Sequence, residues 1–147
     1  MAEPLPCVIS VRPRLKVGEP VEVRFRLSNP TSEPLWVLNW HTPLEGLENN
    51  IFEVTREGAE LDYRGMMKKR APPTASAYVK LGPGASVEAT VELSESYDFT
   101  VPGKYTIAFP GPLMDVAARK ADVPHPFGES HPRDVRCEPI ETTIVPA

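Results

Sequence analysis

The sequence predicts an all-β chain built as two antiparallel sheets packed face to face, and three observations carry that prediction. Proline occupies 18 of 147 positions, more than double the usual share of about 5%. Because proline removes a backbone donor and fixes φ, this density favours short strands and turns over long helices. Apolar residues recur at every second position in several runs, the period of a half-buried strand. Clusters of Gly, Pro, Asn and Ser separate those runs: KVGEP, NPTSEP, REGAE, LGPGAS and TVPGKY.

In chain order, CVISV is a short first strand. VEVRFRLSN follows, with Val21, Val23, Phe25 and Leu27 facing inward and Glu22, Arg24, Arg26 and Ser28 facing solvent. LWVLN is apolar on both faces, as expected of a central strand, and offers Trp36, or Trp40 just beyond it, as the core aromatic. IFEVTREG turns Phe52 and Val54 inward. SVEATVEL does the same with Val87, Ala89, Val91 and Leu93, and GKYTIAF with Tyr105, Ile107 and Phe109. IETTIV closes the chain. The sole helical candidate is LMDVAARK, one or two turns at residues 113–120. Seven or eight strands in a chain of 147 residues, somewhat longer than the roughly 100 residues of such domains, point to an immunoglobulin-like sandwich. YDFTVPGKYTI adds a tyrosine corner, with Tyr97 and Tyr105 both available for it. Two connections are long, residues 64–78 and 110–138, and long loops in compact domains are often functional.

The 147 residues, 41% hydrophobic and 24% charged, fit one domain spanning 1–147 that can fold without metal or cofactor. The net charge of −4 is spread with both signs interspersed, unlike the concentrated positive field that nucleic acid requires. No apolar run approaches the roughly 20 residues that span a bilayer. MAEPLPCVISV lacks a basic n-region and a long h-region. The expected location is therefore cytoplasmic if the chain is complete, and secreted if a leader has been removed. Cys7 and Cys137 leave two readings open. First and last strands of such sandwiches commonly run parallel, which would let the two sulfurs meet in a disulfide contributing roughly 3–5 kcal/mol. The other reading, two reduced thiols, follows from the absent export signal.

Four groups of residues are candidate sites. HPFGESH places His125, Glu129 and His131 within seven residues, a zinc-like set needing a fourth ligand such as Cys137; a solvated polar loop is the expected reading. Paired acids, Glu60 with Asp62 or Glu45 with Glu48, offer general acid and base chemistry but lie in turns, where carboxylates are usually just hydrated. GMMKKR joins Met66 and Met67 to Lys68, Lys69 and Arg70, with Arg64 nearby. It is either an adaptable, cationic contact surface or a loop with one methionine in the core, the other over a sheet edge and hydrated charges. Trp40, His41, Pro43, Leu44 and Glu45 form a loop at one end of the sandwich, read either as a structural cap or as a partner contact.

Taken in order, VRFRLSNPTSEPLWVLNWHTPLEG, IFEVTREGAELDYRGMMKKR and YVKLGPGASVEATVELSESYDFTVPGKYTIAF, roughly residues 21–109, resemble the β-sandwich module that precedes the catalytic domain in secreted metallopeptidases of the deuterolysin and peptidyl-Lys metalloendopeptidase family. The peptidases of that family carry a zinc-binding HExxH helix. Here His41, His125 and His131 are far from that spacing. The resemblance therefore implies the accessory module without its enzyme: a partner that assists a protease's folding, covers its cleft or holds substrate. The expected function is that of a non-catalytic, protease-associated binding module, an inhibitor or proregion-like partner, with a structural or adhesive module for protein or carbohydrate as the alternative.

Overall fold

A computed structural model describes residues 3–69, 71–125 and 130–147. The described residues contain twelve strands: β1 (Leu5–Ser10), β2 (Arg14–Lys16), β3 (Glu22–Ser28), β4 (Leu35–Leu38), β5 (Glu53–Arg56), β6 (Ala59–Glu60), β7 (Tyr78–Leu81), β8 (Ser86–Glu92), β9 (Gly103–Ala108), β10 (Val116–Ala117), β11 (Val135–Cys137) and β12 (Ile140–Val145). They form a four-stranded sheet β11-β1-β3-β8, a three-stranded sheet β10-β4-β7 and a five-stranded sheet β2-β12-β9-β5-β6. All seven runs read from the sequence are strands. The extra ones are short pieces: β6 closes a hairpin on β5, while β10 and β11 lie inside the long 110–138 connection.

Period-two burial holds in β3, where Val23, Phe25 and Leu27 are fully buried, and in β9, where Tyr105 and Ile107 are. Phe25 of β3 meets Phe109, just past β9, edge to face at 5.3 Å, so the four- and five-stranded sheets share one core. The corner is made by Tyr105, whose hydroxyl donates to the Val101 carbonyl at 2.5 Å. Tyr97, also buried, donates instead to the Phe52 carbonyl at 3.1 Å and to Asn50 Oδ1 at 2.8 Å.

Three expectations are corrected. Neither tryptophan is the core aromatic. In β4 the inward positions belong to Leu35 and Val37, so period two turns Trp36 to the other face, where Lys80 Nζ sits 5.9 Å from its ring centroid. Trp40 follows the end of the strand and is half-buried. Residues 113–119 are not helical, and only Lys120 enters a short 3-10 turn at Lys120–Asp122: Val116 and Ala117 pair with Val37 and Trp36 as β10, and Leu113 bridges Arg133. A segment this short gains more from joining an existing sheet than from nucleating a helix. Finally, the cysteines are not free thiols. Strands β1 and β11 run parallel with Cys7 opposite Cys137, Cα atoms 4.6 Å apart, and the sulfurs are bonded. The partner of the first strand is thus the penultimate one, while the last, β12, runs parallel to β2.

Candidate protein-interaction site

The loop after β4 is built by Thr42. Its hydroxyl accepts from the Leu44 N–H at 3.1 Å and donates to the Asn39 carbonyl at 2.7 Å, capping a 3-10 turn at Pro43–Glu45. Pro43 at the first helical position suits this turn, because its missing donor would have been unpaired there. Glu45 reaches back past the cap to accept from the His41 N–H at 2.7 Å, tying the residue before the N-cap to the turn. His41 holds φ at 56°, a left-handed conformation uncommon outside glycine. Thr42 and Pro43 are buried, Leu44 packs on the core, and the turn rests against β8. Trp40, His41 and Glu45 are half-buried around this cap.

The second loop lies against the first. Lys68 donates its backbone N–H to the Glu48 carbonyl at 3.1 Å and sets its ammonium 3.2 Å from the Glu48 carboxylate. Arg64 donates its N–H to the Ser96 carbonyl at 2.7 Å. Tyr63, its hydroxyl bound to the Met66 carbonyl, packs its ring 5.5 Å from that of Tyr97. Both methionines face solvent, Met66 at 59% and Met67 at 69% exposure, which overturns the reading that places one in the core. Lys69 is exposed as well. Arg70 falls outside the described residues. The two stretches singled out in the sequence thus meet at Glu48 and Lys68.

The histidine-rich connection is organised by a residue that the sequence did not flag. Asp115, 1% exposed, accepts from Tyr78 Oη, from the His131 backbone N–H at 2.7 Å and pairs with His125 Nδ1 at 2.7 Å. The His125 and His131 rings stack at 4.2 Å. Burial, then the Asp115 hydrogen bond and charge, push the Tyr78 phenol up to about 12, against a backbone N–H from His125. Glu129 is outside the described residues, and Cys137, proposed as a fourth ligand, has its sulfur in the disulfide. Among the described residues no group of three or more His, Cys, Asp or Glu is placed to hold a metal ion, and no helix is long and apolar enough to cross a membrane.

Sheet order, tyrosine corner and end loops together define an immunoglobulin-like domain. A model of the immunoglobulin-like domain family matches residues 9–125, and the chain belongs to that family. It is similar to an extracellular protease of Aeromonas hydrophila, 34% identical over 74% of this chain and 32% of that protein. Neutral protease 2 homologues match too: one from Arthroderma gypseum is 30% identical over 60% of this chain and 25% of its own length. One from Trichophyton verrucosum is 27% identical over 84% and 34%. The chain spans about a third or less of these relatives. The metallopeptidase-linked module that the residues resemble is thus met by relatives that are named proteases.

Proposed function

We propose that this chain is an exported, non-catalytic binding module that associates with a protease, as an inhibitor or proregion-like partner. The observation that carries the reading is the match to one segment of proteins named as proteases, most of whose length lies outside it. The description of the Aeromonas relative as extracellular and the disulfide, a bond kept in oxidising compartments, support export. The contact surface is the composite of Trp40, His41 and Glu45 with Met66, Met67, Lys68 and Lys69; Pro43 and Leu44 brace it from beneath, and Arg70 extends it in sequence. Adjacent loops at one end of a rigid sandwich are a common recognition platform.

The test uses the part of the Aeromonas protease outside the matched segment, produced alone. Calorimetric titration with this chain is expected to give a complex of about micromolar affinity or tighter and to change the rate of peptide hydrolysis. Absence of both effects would overturn the proposal.

A further inference from the structure

We infer that Met67 is a preorganised docking prong, which enters an apolar pocket with an acidic rim on the partner protein; this rests on the reading above. Residues 61–69 have no regular secondary structure, yet the chain on both sides of Met67 is fixed to the sandwich. On one side the Met66 carbonyl is held by Tyr63, whose ring leans on the buried Tyr97. On the other, Lys68 is held by the Glu48 carbonyl. Upstream, Gly65 passes so close to the body of the domain that a Cβ there would lie 2.6 Å from Ser96 Oγ and Tyr63 Oη. No larger residue fits without a shift.

Between these anchors Met67 is the most exposed of the large apolar side chains among the described residues. Ordering a backbone costs conformational entropy, and an exposed methionine recovers none of it through burial. Against a partner the cost is already met, which is how preorganised loops gain affinity. The side chain itself stays adaptable, unbranched and polarizable, suited to filling a pocket of imperfect shape. The flanking charge sets the rim. Lys69 is exposed and forms no ion pair with a carboxylate among the described residues, so carboxylates around the pocket would complete the pairing.

The experiment titrates the same protease fragment with the wild type, Met67→Asp, Met67→Leu, Lys69→Glu and, on a distant exposed face, Val8→Asp. Met67→Asp is expected to weaken binding at least about 30-fold. Met67→Leu should stay within about 3-fold, Lys69→Glu should weaken binding and flatten its salt dependence, and Val8→Asp should change nothing. Circular dichroism and melting curves check that each variant is folded. Wild-type affinity in a folded Met67→Asp variant would overturn the prong and leave the binding module standing. No binding by the wild type would remove both. A wild-type dimer that Met67→Asp converts to monomer would overturn the choice of partner in favour of a second copy of this chain.

Discussion

Lys68 is bound twice to Glu48, through a backbone N–H to its carbonyl at 3.1 Å and through the ammonium to its carboxylate at 3.2 Å. The two bonds differ in weight. The ammonium is half exposed and the carboxylate more than a quarter exposed, so the ion pair is well screened. A double-mutant cycle of Lys68→Ala and Glu48→Ala, followed by urea denaturation, should give a coupling of roughly 0.2–1 kcal/mol. The backbone bond survives both substitutions, so the loops should stay adjacent.

Asn29 governs the turn that the sequence marks as NPTSEP. It is 1% exposed, donates from Nδ2 to the carbonyls of Glu33 at 2.8 Å and Leu81 at 3.0 Å, and accepts the Thr31 N–H at 3.0 Å. The turn after β3 is thereby tied to the end of β7, two strands of different sheets. Asn29→Ala leaves the buried Leu81 carbonyl without this donor, at about 1–3 kcal/mol per orphaned group. Urea midpoints should fall by the equivalent of roughly 3 kcal/mol. Asn29→Asp should fare no better, since it turns a carboxylate oxygen toward carbonyls.

The disulfide joins residues 130 apart in sequence, so it constrains almost the whole unfolded chain. Cys7→Ser with Cys137→Ser should lower stability by roughly 3–5 kcal/mol. β1 and β11 would still pair through their backbones, so far-ultraviolet dichroism should be unchanged while the urea midpoint drops. Reduction of the wild type with dithiothreitol should reproduce the shift.

Burial raises the Tyr97 phenol from its ordinary value of 10.0 to about 12. The folded state thus favours the protonated phenol, and the unfolded chain loses that proton first as pH rises. The resulting stability is complete below about 10 and disappears as pH climbs through about 12. Urea denaturation across this interval should show stability falling more steeply in the wild type than in Tyr97→Phe. Tyr78, raised to about 12 by burial and Asp115, adds to the same slope, so the double variant should be flatter still.

What was legible in the sequence was what local pattern encodes. VEVRFRLSN alternates cleanly, and its strand and buried face follow from that alone. LWVLN, apolar on both faces, carries no phase, so nothing in it says that Leu35 and Val37 rather than Trp36 point inward. The four residues of β7, two half-buried, then one exposed and one buried, are too few to make a pattern. Leu113, Val116 and Ala117 mimic helical spacing although they are buried in extended chain, each paired with a different distant residue, Arg133, Val37 and Trp36. The contact of Lys68 with Glu48 is equally nonlocal, so each loop could be nominated but their union could not. The redox state of Cys7 and Cys137 depended on strand register and compartment, neither of which residue spacing reveals.

Asp115 is the residue whose role was least visible, and its removal gives the sharpest structural test. One buried carboxylate joins Tyr78 on β7 to His125 and the His131 backbone, while its own carbonyl accepts from the Leu38 N–H at 3.0 Å. The long connection is further stitched by Leu113 to Arg133 in both directions and by Val116 to the His131 carbonyl. Asp115→Ala deletes the shared acceptor and leaves its donors to find water, at about 1–3 kcal/mol for each that remains buried. Global stability should fall by roughly 2–4 kcal/mol. The more diagnostic readout is hydrogen exchange. Amides of Leu113, Val116 and His131 should lose protection well before those of β3 and β9, because the sandwich core lies outside the Asp115 network. Asp115→Asn, which keeps one acceptor oxygen, should restore part of that protection. Equal loss of protection across β3, β9 and the connection would instead make Asp115 a determinant of the whole fold.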